Sequence, residues 1–141
     1  MKINANSNHK ILTKIMDWDL SEITNYVKIE NPNLSEKDII DTAEEYKYFM
    51  YLTVLTNNQI SIPTKMVDLI WHAHILHTQS YTQFCKKIAG KYVHHKPVPY
   101  TLEKFEKNID EVSELSQLVF GRIVFNFSKQ ALFKNVNFTC A

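Results

Sequence analysis

The chain is poor in the residues that several functions depend on. Arg122 is its only arginine; the other 15 of its 16 basic residues are lysines, set among 15 acids for a net charge of +1. Phosphate-backbone binding needs clustered positive charge, and base reading leans on the planar fork of arginine. Nucleic acid is therefore excluded as an expected partner, and the same count disfavours a membrane surface. Cysteine is scarce as well. Cys85 and Cys140 have no CxxC spacing, so no secreted disulfide framework is expected. No apolar run reaches the ~18 residues of a membrane span. The first ten residues, Met1 to Lys10, are polar and lack the apolar core of a signal peptide, which leads to an expected cytoplasmic location. Glycine occurs twice, at Gly90 and Gly121.

What remains is an ordinary globular balance, 45% hydrophobic and 22% charged, in a length suited to one domain. Its periodicity is helical. Ile11 to Trp18 and Leu20 to Ile29 read as short helices, with Asp19 free to cap the second, and Asn31-Pro32-Asn33 as a stop. Ser35 stands three residues before Asp38, a capping-box-like start. The apolar positions Ile39, Ile40, Ala43, Tyr46, Phe49, Met50 and Val54 then predict a helix from about Glu36 to Leu55. From Met66 to Leu76 apolar residues surround the helix, so it should be buried on all sides and run through the middle. Thr78 to Ala89 is amphipathic and ends at Gly90, a natural C-cap. Tyr92 to Pro99 reads as a proline-limited connector. Leu102 to Phe120 is helical again, with Phe105, Ile109, Val112, Leu115 and Val119 on one face. Ile123 to Phe127 is β-prone, whereas Lys129 to Lys134 is not. The expected fold is all-α, a single-domain bundle of about five helices around Thr64–Ala89. Residues 1–10 form a flexible arm, 11–121 the helical domain and 122–141 an apolar tail packed on it.

Five of the six histidines lie within a short span: His72, His74, His77, His94 and His95. At about 100° per residue, Asp68 and His72 lie one turn apart on the same side of a helix and can hydrogen-bond or share a metal. His74 lies about 200° from His72, so an unbroken helix cannot bring both to one ion. It falls instead on a core stripe with Val67, Ile70, Trp71, Thr78, Tyr81 and Cys85. Thr78 and Tyr81 are then in reach of a hydrogen-bond network with His74. After Gly90 the chain must turn, and Lys91 to His95 can run back along the helix it has left. One of His94 and His95 could approach Cys85, Tyr81, Thr78 or His74. Adjacent residues of an extended stretch point opposite ways, so one of the pair should face inward and the other outward. HExxH and CxxC are both absent. Cys85 reads as a core thiol.

These residues also resemble a known family. The block Val67-Asp68-Leu69-Ile70-Trp71-His72-Ala73-His74-Ile75-Leu76, followed by Thr78, Tyr81, Phe84-Cys85, Gly90 and His94-His95-Lys96-Pro97, is similar to the conserved domain of the glycine-rich domain-containing protein-like family. The helix carrying Tyr46-Lys47-Tyr48-Phe49-Met50-Tyr51-Leu52, the Ile62-Pro63 approach and Phe120-Gly121 fit as well. The resemblance covers roughly residues 19–121. It implies that Asp68, Trp71, His72, His74, Tyr81 and Cys85 are the family's marked positions. His94-His95 matches its small stand-alone members. Proline near position 78 in some members implies a helix break there. The glycine-rich region that names the family is absent, and the tail after Gly121 is not matched to any part of it. The resemblance implies a fold and a site, but no reaction.

Two functions fit these residues. The first, which the sequence favours, is a non-catalytic interaction or scaffold module with an unidentified protein partner, its central helix set by a buried Asp68, His72 and His74 network. The second is a small metalloprotein or metal-dependent enzyme. It would hold one zinc, iron or copper ion with ligands drawn from His72, His74, His94 and His95, supported by Asp68, Trp71, Thr78, Tyr81 and Cys85. The second requires imidazole nitrogens to converge within ~4 Å of one point, beside an opening to solvent.

Overall fold

The computed structural model describes residues 8–96 and 102–128, with side chains over 9–96 and 107–128. Outside the described residues lie Met1 to Ser7 of the expected arm, Pro97 to Pro99 of the connector, Tyr100 and Thr101 after it, the Phe105 side chain, and the tail from Lys129 onward with Cys140. The described chain is all-helical: α1 (Asn8–Met16), α2 (Ser21–Glu30), α3 (Glu36–Leu55), α4 (Lys65–Leu76), α5 (Thr78–Ala89) and α6 (Leu102–Phe120). Six helices stand where about five were expected, because α4 and α5 are separate elements. No described helix is long and apolar enough to cross a membrane.

The helix starts follow from short polar side chains. The Ser35 hydroxyl accepts from the Asp38 N–H at 3.1 Å, and the Thr64 hydroxyl from the Val67 N–H at 3.1 Å. Each satisfies one of the orphan donors of a first turn. Asp19 acts from just outside α2, its carboxylate accepting from the Ser21 N–H at 2.9 Å.

Helix α4 is the buried axis, as its all-round apolar pattern requires. It packs against α2, α3 and α5. It buries Met66, Val67, Leu69, Ile70, Trp71 and Ala73, and with them Asp68 and His74. Trp71 meets Phe49 of α3 edge-on at 5.3 Å between ring centroids. Covering a tryptophan removes about 200 Å² from water, worth on the order of 5 kcal/mol at ~25 cal/mol per Å². Gains of that size from its neighbours let α4 carry two polar side chains into the interior, provided that each is hydrogen-bonded.

The break between α4 and α5 falls at His77, one residue before the position where the resemblance implied it. His77 leaves helical geometry with φ −85° and ψ 71°. Its backbone N–H reaches back to the Ala73 and His74 carbonyls, and its Nδ1–H donates to the Ala73 carbonyl at 2.7 Å. Its own carbonyl accepts from the Tyr81 N–H at 2.9 Å, opening α5. One residue thus closes one helix and starts the next.

Gly90 ends α5 in the left-handed region, φ +71°. Residues 91–96 then run back across the bundle. The Tyr81 hydroxyl donates to the Val93 carbonyl. The Asn58 side-chain amide donates to the His94 carbonyl at 3.1 Å, and the Lys96 ammonium to the Asn58 carbonyl at 3.1 Å. The returning segment is therefore pinned to α5 on one side and to the α3–α4 turn on the other. A Cβ at Gly90 would meet no atom within 4 Å, so its substitution acts through conformation alone. Gly90→Ala should cost about 1–2 kcal/mol of stability, the penalty for a non-glycine residue at positive φ. An unchanged urea midpoint would contradict this account of the turn.

The β-prone stretch after Gly121 forms no strand among the described residues. Its backbone donors have other partners: the Val124 N–H donates to the Ser116 hydroxyl at 3.0 Å, and the Asn126 N–H to the Glu45 carboxylate at 2.6 Å. Phe125 is buried between these two points. The segment is held by α6 and α3 rather than by a neighbouring strand.

Candidate metal centre

Helical spacing places Asp68 and His72 on one side of α4, and the strand from Gly90 brings His95 to them from another part of the chain. His95 Nε2 lies 2.6 Å from Asp68 Oδ1, and His72 Nε2 lies 3.3 Å from the same oxygen. The two imidazoles meet edge to face, with centroids 4.5 Å apart. One donor atom from each of Asp68, His72 and His95 falls within 4.8 Å of the other two. Asp68 is almost fully covered at 4% exposure, while the His72 and His95 side chains keep 21% and 13%. The cluster is therefore a covered carboxylate with two partly exposed imidazoles beside it.

Trp71 forms the wall behind His95, at 4.4 Å between ring centroids. Its indole N–H donates to the Tyr81 hydroxyl at 2.9 Å, which in turn donates to the Val93 carbonyl two residues before His95. Burial pushes the Tyr81 phenol well above its ordinary range, so it stays protonated and able to donate. This chain of bonds links the core of α4, through α5, to the strand that carries His95.

His74 belongs to a different site. It is fully buried on the far side of α4. Its Nδ1 lies 2.8 Å from the Tyr46 hydroxyl and its Nε2 3.3 Å from the Ser80 hydroxyl. Burial holds the Tyr46 phenol protonated, so we assign Tyr46 as donor to Nδ1 and His74 Nε2–H as donor to Ser80. Tyr81 and Phe84 pack on the same ring. Burial, with His77 nearby, lowers the His74 pKa from its ordinary 6.5 to about 3.

A family model described as UCP032817-like matches residues 12–132. The chain belongs to the UCP032817-like family. It is also 37% identical over 59 residues to glycine-rich domain-containing protein 1 of Arabidopsis thaliana, and 40% identical over 60 residues to glycine-rich domain-containing protein 2 of the same plant. Each match covers 39% of this chain but only 7% and 8% of the respective plant protein. No solved structure matches the chain.

In this UCP032817-like chain the residues singled out from the sequence fall into two groups. Asp68, Trp71, His72 and His95 come together. His74, Tyr81 and Cys85 lie in the core beside them, and burial raises the Cys85 thiol pKa. Thr78 is exposed at the start of α5, and the hydroxyl facing His74 is that of Ser80 instead. The helix break at His77 does not bring His74 to the other imidazoles. His94 and His95 point opposite ways, as their adjacency requires: His94 is exposed and sits against Tyr92 with centroids 4.9 Å apart. His95 approaches Asp68 and His72 rather than Cys85, Thr78 or His74, because the returning strand crosses to α4 instead of retracing α5. Tyr46 read only as an apolar position of α3. Its hydroxyl faces the buried His74 ring from 28 residues away, a contact that spacing does not signal.

Proposed function

We propose that this chain is a small metal-binding module in which Asp68, His72 and His95 hold one divalent transition-metal ion. The observation that carries the reading is the convergence of three donor atoms from two separate chain segments on one partly open point. Two ligands bound to one tetrahedral zinc at 2.0–2.2 Å lie about 3.3 Å apart, close to the Asp68–His72 separation. The shorter Asp68–His95 contact would open by several tenths of an ångström as the ion replaces the proton between them. Two imidazoles and a carboxylate suit zinc or iron(II) better than a thiolate-seeking ion. Three protein ligands leave a coordination position free for water or a small ligand, the arrangement of reactive rather than purely structural zinc sites.

A second reading also has an observation behind it. No buried side-chain nitrogen or oxygen among the described residues lacks a hydrogen-bond partner. On that reading Asp68 simply clamps His72 and His95 as neutral donors and fixes the returning strand, in an interaction module with a protein partner. Zinc and iron(II) titration calorimetry on the full chain separates the two. The metal reading expects one equivalent bound by the wild type and none by His72→Ala/His95→Ala. A folded wild type that takes up neither ion leaves the clamp.

The bond chain through Tyr81 gives a further expectation. Tyr81→Phe keeps the ring but removes the hydroxyl that both the Trp71 indole and the Val93 carbonyl use. Supporting bonds behind metal ligands are typically worth 10–100-fold in affinity. Tyr81 bonds the Trp71 indole and the Val93 carbonyl rather than a ligand side chain, so zinc affinity, measured by competition with a chromophoric chelator, should fall by less than that, roughly a few-fold. Lower stability with unchanged affinity would show that the hydroxyl serves the fold and not the site.

A further inference from the structure

The face of the returning strand opposite His95 borders a second concavity. This groove, of about 650 Å³, lies between the end of α3, the end of α5 and residues 91–96. Its size falls within the range of small-molecule sites. Val54, Ala89 and Tyr92 supply apolar wall, and Lys91, Lys96 and His94 supply N–H donors. No acidic side chain lines it among the described residues. In a chain with nearly equal numbers of acids and bases, that one-sided lining sets the groove apart.

The lysines are held in place but keep donors to spare. Lys91 donates to the Asn57 side chain at 3.4 Å and Lys96 to the Asn58 carbonyl at 3.1 Å. An ammonium has three donors, so each keeps two beyond its partner among the described residues. The nearby carbonyls at the end of α3 compete little for them. The Thr53 and Val54 carbonyls already accept from the Asn58 and Asn57 N–H groups, in a turn with both asparagines at positive φ. Tyr92 stacks edge-on against Tyr81 at 5.2 Å, which anchors the aromatic wall to the core.

We propose that this groove binds an organic oxyanion: a carboxylate or phosphate group between Lys91, Lys96 and the His94 ring, with an apolar body against Val54, Ala89 and Tyr92. Charge complementarity selects the anion, and the apolar wall selects one that is more than an inorganic ion. The proposal does not depend on the metal reading, since it uses the other face of the strand.

The test is a two-dimensional NMR titration of the full chain with phenyl phosphate, phenylacetate, neutral phenylacetamide and inorganic phosphate. The expected result is saturable shifts at Val54, Asn57, Asn58 and residues 89–96 with the two organic anions. Binding should be weaker by about tenfold or more for the neutral amide, the loss expected when a charged hydrogen bond is removed. Lys91→Gln/Lys96→Gln, two exposed substitutions, should weaken the organic anions by a similar factor. Shifts elsewhere, no shifts, or equal binding of the amide would overturn the proposal. Inorganic phosphate binding as tightly as phenyl phosphate would reduce the groove to a charged patch and overturn it too. The wild-type comparison of anion with amide decides the matter even if the double variant fails to fold.

Discussion

Asp68→Asn is expected to lower zinc affinity by at least about a hundredfold while leaving the metal-free fold nearly intact. Losing a supporting residue behind a metal ligand already costs 10–100-fold, so losing the only charged ligand should cost no less. The amide keeps an oxygen in the place where the carboxylate accepts from His95 and lies 3.3 Å from the His72 ring. A neutral acceptor there still satisfies the His95 ring N–H, so the metal-free contact survives at a net difference of about 1 kcal/mol. The substitution therefore separates the two functions. If Asp68 serves only as a clamp, the asparagine variant behaves as the wild type in every metal measurement. If it is a ligand, chelator competition shows the loss at once, and denaturation of the metal-free protein shows little change. Wild-type zinc affinity in the variant would place any bound ion elsewhere.

The second large effect comes from His74. Its folded pKa of about 3 lies below the ordinary value of 6.5. Between these values an unfolded chain binds a proton at this ring that the folded chain refuses. Folding stability is therefore unaffected by His74 above pH 6.5 and falls as the pH drops below it, with a slope approaching ~1.4 kcal/mol per pH unit. By pH 5 the loss should reach about 2 kcal/mol. The groups facing the ring are the Tyr46 and Ser80 hydroxyls, Tyr81, Phe84 and nearby His77, with no carboxylate among the contacts described to stabilise an imidazolium. Denaturant unfolding of metal-free protein from pH 8 to 5 tests this, beside His74→Gln, whose amide can still accept from Tyr46. The wild type should lose stability over that window and the variant should lose less. Ring nitrogen NMR gives an independent check, since His74 should stay neutral to below pH 4. A flat wild-type profile, or a His74 ring that protonates near pH 6, would contradict the burial account.

The helices were legible because local physics determines them. Ser35 with Asp38, the apolar positions that follow, and Gly90 as a stop mark elements that the structure places at the expected residues. The burial of α4 followed from apolar side chains all round it. The separation of His72 from His74 followed from helical geometry alone. What could not be read was where the chain goes after Gly90. An extended strand of six residues can reach many places, and its path is fixed by Asn58, Tyr81 and the Val93 carbonyl, contacts distant in sequence. The meeting of His95 with Asp68 is a consequence of that path. Tyr46 and Ser80 escaped notice for a related reason: a tyrosine in an apolar pattern and a serine in an amphipathic helix acquire meaning only once His74 is seen between them. The Ile123–Phe127 stretch has strand-like residues but, among the described residues, no strand beside it, and the Val124 and Asn126 N–H groups bond to side chains instead.

The central claim is that one ion sits between Asp68, His72 and His95. Long-range proton–nitrogen NMR of the imidazole rings, during addition of one equivalent of zinc to metal-free protein, tests it most directly. The account predicts that the Nε2 signals of His72 and His95 move together and saturate at one equivalent, while those of His74 and His94 stay in place. Zinc-induced shifts at His94 or His9 with His72 and His95 unmoved, or no shift at any ring, would contradict it.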